Sequence, residues 1–155
     1  MKATVSTLAT ALAVAALALV VAAPSAATAP QPIRIDLNGV VTGPESFRGT
    51  FVASGVVNDS GAYAGTFRFA GSTIHVVKTL VGSKGTITLK TDAVVVQTSP
   101  TTISFKAGHW NVVSGTGAYA GLQAIGAPAA AGGGSADLST GAIRETHEGA
   151  AFFSS

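Results

Sequence analysis

Near its C-terminal end the chain reads Ile143-Arg144-Glu145-Thr146-His147-Glu148-Gly149. Side chains alternate along an extended strand, so Ile143, Glu145 and His147 share one face and Arg144, Thr146 and Glu148 the other. A Glu and a His two apart on an inward face could act as an acid–base pair at the mouth of a cavity. The competing reading leaves the charged middle of this strand solvated at a rim, with only its ends packed. His109 and Asn111 form a second candidate pair. They continue the face of Ile103 and Phe105, which puts Trp110 on the opposite side unless a bulge at Gly108 swaps them. Turned inward they would hydrogen-bond the polar group of a ligand; at a strand end they would satisfy turn backbone groups. His109, Asn111, Glu145 and His147 are therefore the ligand-binding candidates, and no residue is assigned a catalytic role.

Other chemistry is absent from the pattern. Three histidines and seven carboxylates are scattered without metal-ligand spacing, so neither a metal nor a cofactor is expected. Ser54-Gly55 and Ser114-Gly115 are turn pairs, not nucleophile elbows. Gly115, Gly117 and Gly121 lack the spacing, the following helix and the closing acid of a dinucleotide loop. Asn58-Asp59-Ser60 matches a glycosylation sequon and is equally a good turn.

The elements that must position these residues begin after a leader. Lys2 precedes an uncharged apolar run from Ala9 to Ala23, and small residues follow through Ala29. A positive start, an apolar middle and small residues two apart are the parts of a secretory signal. The run is short of the roughly 20 residues that span a bilayer. Residues 1–29 are read as a signal peptide cleaved near 27–29, where Pro30 disfavours the last position, and 30–155 as the mature domain. Secretion without a membrane anchor follows, since the chain has no cysteine to carry a lipid. Beyond Lys2 there remain eight basic and seven acidic residues, too balanced for a nucleic-acid footprint.

The mature sequence is rich in Val, Thr, Ile and Phe, punctuated by Gly, Asn-Asp or Ser-Pro, which is the pattern of a sandwich or barrel. Ile33, Ile35 and Leu37 alternate with Arg34, Asp36 and Asn38. Ile74, Val76 and Leu80 alternate with His75, Val77 and Thr79, with Lys78 falling on the apolar side. Strands are expected near 33–42, 47–57, 65–70, 73–81, 85–97, 102–113, 121–127 and 141–153. About eight strands joined by short turns make an antiparallel meander, and closing it into a single small barrel removes its edges. Ala127 to Ser135, almost all Ala and Gly, reads as a mobile loop.

Gly61-Ala62-Tyr63-Ala64-Gly65 recurs as Gly117-Ala118-Tyr119-Ala120-Gly121. Each copy reads as a tight corner built on its glycines and plugged by a Tyr ring. Gly61, Tyr63, Gly65, Gly117, Tyr119 and Gly121 are thus the expected structural corners. The second copy, extended to Gly115-Thr116-Gly117-Ala118-Tyr119-Ala120-Gly121-Leu122-Gln123, resembles the allene oxide cyclase-like barrel superfamily, which includes plant dirigent proteins and secreted bacterial members. The resemblance implies an eight-stranded antiparallel barrel and, by analogy with dirigents, a trimer. The family's catalytic acids have no matching motif here, so no activity is carried over.

The resulting expectation is a secreted β-barrel that binds a small apolar ligand without catalysis. A structural or interaction protein of the cell envelope is the alternative, and a cyclase- or dirigent-like enzyme the last.

Overall fold

The computed structural model describes residues 29–128 and 133–154. The leader read over 1–29 lies, Ala29 apart, outside the described residues. The rest is β1 (Gln31–Gly43), β2 (Ser46–Gly55), β3 (Asp59–Ala70), β4 (Thr73–Gly82), β5 (Thr86–Ser99), β6 (Thr102–Gly115), a 3₁₀ turn (Gly117–Tyr119), β7 (Leu122–Pro128), β8 (Gly134–Asp137) and β9 (Ala142–Phe153). Each strand from β1 to β6 pairs antiparallel with the next, and β9 pairs with both β7 and β1, so the sheet closes. This is the expected antiparallel meander barrel of eight wall positions. One position is shared: β7 and β8 both stand between β6 and β9.

Alternation decides what lies inside. Ile33, Ile35 and Leu37 of β1, Phe47, Phe51 and Ala53 of β2, Leu80 of β4 and Ile87 and Leu89 of β5 are buried. Each such aliphatic side chain contributes about 1.5–3 kcal/mol through removal from water. On the outer side of the β1–β9 seam, Arg34 reaches Asp36 at 2.9 Å and Glu148 at 2.5 Å, and Thr146 donates to Asp36 at 2.7 Å. These pairs are exposed and fix register more than they stabilise.

Three expectations are corrected. Gly61, Tyr63 and Gly65 do not form a corner; they lie within β3, which starts at Asp59 and not near 65. Both glycines share the inward face with Tyr63, and neither has a positive φ. At Gly65 a Cβ would stand 2.6 Å from the Phe47 ring and 2.9 Å from Lys78 Cβ, so the missing side chain leaves room inside the barrel. The second copy does turn: Gly117 (φ 61°) and Gly121 (φ 75°) bracket the 3₁₀ turn in the left-handed region that glycine tolerates. Identical residues therefore fold differently according to the registers around them.

The Ala/Gly stretch is the second correction. Ala127 and Pro128 end β7, and Gly134 and Ser135 begin β8; residues 129–132 lie outside the described residues. The third concerns β6. Ala93 pairs with Gly108 but Val94 pairs with Lys106, so Ala107 is an extra residue in a bulge, at φ 35°. One extra residue inverts every face beyond it. Trp110 and Val112 therefore turn inward, and His109 and Asn111, expected on the face of Ile103 and Phe105, turn outward.

Candidate functional site

β9 presents Glu145 and His147 to the lumen, through pairs with Leu37 and Ile35 of β1. The solvated-rim alternative fails for these two, since their side chains are only 8% and 1% exposed. Facing them is Lys78 of β4, fully buried. β4 and β9 are four strands apart in either direction round the barrel, so Lys78 reaches across the whole lumen. Its ammonium donates to Glu145 Oε2 and stands 3.1 Å from His147 Nε2, and that nitrogen is 3.1 Å from Glu145 Oε2. Lys78 Nζ also lies 5.9 Å from the centre of the Phe47 ring, at the outer reach of a cation–π contact.

The environment sorts the charges. Burial works to raise the Glu145 carboxyl, but the Lys78 ammonium, then His147, overcomes it and holds Glu145 down to about 2. His147 is pushed the other way: burial, then Lys78, lowers it below its ordinary value. At neutral pH Glu145 is therefore ionised and His147 neutral. In one imidazole tautomer Nε2 accepts from Lys78 and Nδ1 carries the proton; in the other Nε2 donates to Glu145 and Nδ1 is bare. Either way Nδ1 is buried with no partner among the described residues.

Above the trio lies a cavity of about 260 Å³. Its walls include Phe47, Phe67, Ile74, Val76, Ile103 and Phe105, and Thr91, Glu145 and His147 supply polar groups. Phe69 and Leu138 also line it and are more than half exposed, so the cavity reaches solvent at the end carrying the β3–β4 and β8–β9 turns. Thr91 lies inward on β5 between Leu89 and Ala93, and its Oγ1 is a second buried polar atom without a partner. Trp110 pairs across strands with Thr91 and packs its ring 5.6 Å from that of His147. Its indole N–H donates to Glu148 O at 3.1 Å, over Gly126, where a Cβ would fall 2.6 Å from the indole nitrogen.

The other candidates stand apart. His109 is 70% exposed on the outer face, 3.2 Å from Asp92, which also accepts from His75 at 2.5 Å. Asn111 donates to Val112 O on the same strand. The structure thus joins Glu145 and His147 and separates both from His109 and Asn111. Among the described residues no cluster of His, Asp and Glu is arranged to hold a metal.

The opposite end of the barrel is pinned shut. Tyr119 of the 3₁₀ turn is buried and donates to Asp59 Oδ2 at 2.7 Å. Asp59 also accepts from Ser83 Oγ and from the Ser60, Ser83 and Lys84 backbone N–H groups. Tyr119 foremost, with these donors, holds the Asp59 carboxyl well below the usual range. Tyr63, inside the barrel, keeps a buried hydroxyl without a partner; burial, then the Glu145 charge, pushes it upward.

No family model, no curated protein and no solved structure matches this chain.

Proposed function

We propose that this protein is an exported barrel that holds a small, largely apolar molecule in its lumen without transforming it. The observation that carries the reading is the cavity: Phe67, Phe69 and Phe105 line its walls instead of filling it, while the far end is closed by Tyr119 and Asp59. A pocket that is mostly apolar, with a few convergent polar groups, is the usual form of a small-molecule site. Export rests on the leader pattern of residues 1–29.

Trp110 is the single tryptophan of the chain and packs on His147, which lines the cavity, so its emission senses occupancy through that ring. Titration with a compact apolar probe should shift that emission saturably, and native mass spectrometry of protein from the producing culture should show a retained small molecule. An emission that no apolar probe shifts, with a bare mass from culture, would sink the reading.

A second reading has one observation in its favour, the charged trio at the cavity floor. Ionisable groups with displaced pKa values gather at functional sites, and neutral His147 beside ionised Glu145 is equipped to take a proton from a bound molecule. Isotope exchange at an acidic C–H of a bound ketone, abolished in His147→Gln, would support catalysis. No exchange above the solvent rate would remove it.

A further inference from the structure

The cavity binds more than a hydrocarbon. Two polar atoms in its lining residues, His147 Nδ1 and Thr91 Oγ1, are buried and have no partner among the described residues. A buried polar atom left without a partner costs about 1–3 kcal/mol, so natural interiors rarely keep one without cause, and here two flank the same residue. Trp110 pairs across strands with Thr91 on one side and stacks on His147 on the other. The orphan atoms therefore belong to one floor, and the walls rising from it are aromatic and aliphatic.

We infer that the ligand is a neutral alcohol, whose hydroxyl sits on this floor between Thr91 and His147 and whose compact apolar body fills the space beneath Phe69 and Leu138. This rests on the reading of the barrel as a binding module and specifies the chemistry of what it binds. A hydroxyl both donates and accepts, so it satisfies His147 Nδ1 in either imidazole tautomer and still meets the Thr91 hydroxyl. An ionised head group has no such place. Lys78 and Glu145 already neutralise each other across the lumen. A carboxylate would add a second negative charge beside Glu145, and an ammonium a second positive charge beside Lys78, in a site with little water to screen them. The volume limits the body: about 260 Å³ is the liquid volume of roughly nine water molecules, which suits a ring with a short chain rather than a long acyl tail.

Four molecules with one skeleton test this: butylcyclohexane, 4-cyclohexyl-1-butanol, 4-cyclohexylbutanoate and 4-cyclohexylbutylamine, each titrated by Trp110 emission and by calorimetry. The alcohol should bind tightest, about tenfold or more over the hydrocarbon, the difference one well-made hydrogen bond supplies. Thr91→Val keeps the side-chain shape and removes the hydroxyl. It should reduce the preference for the alcohol over the hydrocarbon several-fold and leave the unliganded melting temperature no lower. Thr91→Ser should keep the preference. A hydrocarbon bound as tightly as the alcohol, an acid or amine bound more tightly, or a preference unchanged in Thr91→Val would overturn the assignment while leaving the binding reading intact. Failure of all four to bind would remove the binding reading and this inference with it.

Discussion

Lys78 and Glu145 meet across the full width of the barrel, from strands four positions apart on either way round. The pair joins opposite walls of a mostly apolar interior. Single truncations should be severe, because each leaves a charge buried and unpaired. Lys78→Met or Glu145→Leu should each cost about 3–5 kcal/mol, whereas the two together should cost far less than their sum. Urea unfolding of the four proteins closes the cycle. Additive losses would show that the two groups do not act as a pair.

Acid should weaken the fold in two stages. His147 has a lowered folded pKa, so the unfolded chain takes up the proton first and stability falls as pH drops below about 6.5. Glu145 and Asp59 are also held low, so their contributions are present above the ordinary carboxylate range and are lost as pH falls through it and on toward the folded values. Thermal melts of His147→Gln between pH 7 and 5 should be flatter than those of the native protein, with the steep loss below pH 4 retained. Parallel curves would exclude His147 as the source of the first stage.

Much of the barrel was legible in its alternation. The inward runs of β1, β2, β4 and β5 follow directly from apolar residues two apart, and Lys78 falls on the apolar side of its strand by the same alternation. Thr91 carried the same signal, between Leu89 and Ala93, but a single Thr amid Val and Thr is easily passed over. That Lys78 would find Glu145 was not legible, because a contact across the lumen depends on how the last strand registers on the first. Trp110 and His109 were misplaced for a local reason: the bulge sits at Ala107, a residue whose type does not announce a positive φ. The GAYAG echo misled because glycine serves both for turning a chain and for leaving space, and β3 uses the second.

Ala107 yields its own prediction. A residue with a Cβ at φ 35° is strained, and it is exposed, so nothing is lost by removing the methyl. Ala107→Gly should stabilise by about 1 kcal/mol, raising the melting temperature by a few degrees, with Trp110 emission unchanged. A destabilised protein, or a shifted emission, would mean that the alanine itself fixes the bulge.

At the closed end, Asp59→Asn should loosen the β4–β5 turn and the 3₁₀ turn together, because both hang on one carboxylate. Limited proteolysis should cut near Lys84 in this variant before it cuts the native protein, and Tyr119→Phe should show the milder form of the same change. Unaltered cleavage in both would mean that backbone pairing alone holds that end.

The meander has a kinetic consequence. From β1 to β6 each strand pairs with the next in sequence, β7 and β8 are bracketed by β6 and β9 within the C-terminal part of the chain, and the β1–β9 seam joins its most distant parts. Hairpin formation can therefore run along the chain at the pace of local loop closure, and one late search sets the overall rate. That same step brings Glu145 and His147 face to face with Lys78. An open sheet would leave all three in water, so the last event of folding is also the moment at which they lose their hydration.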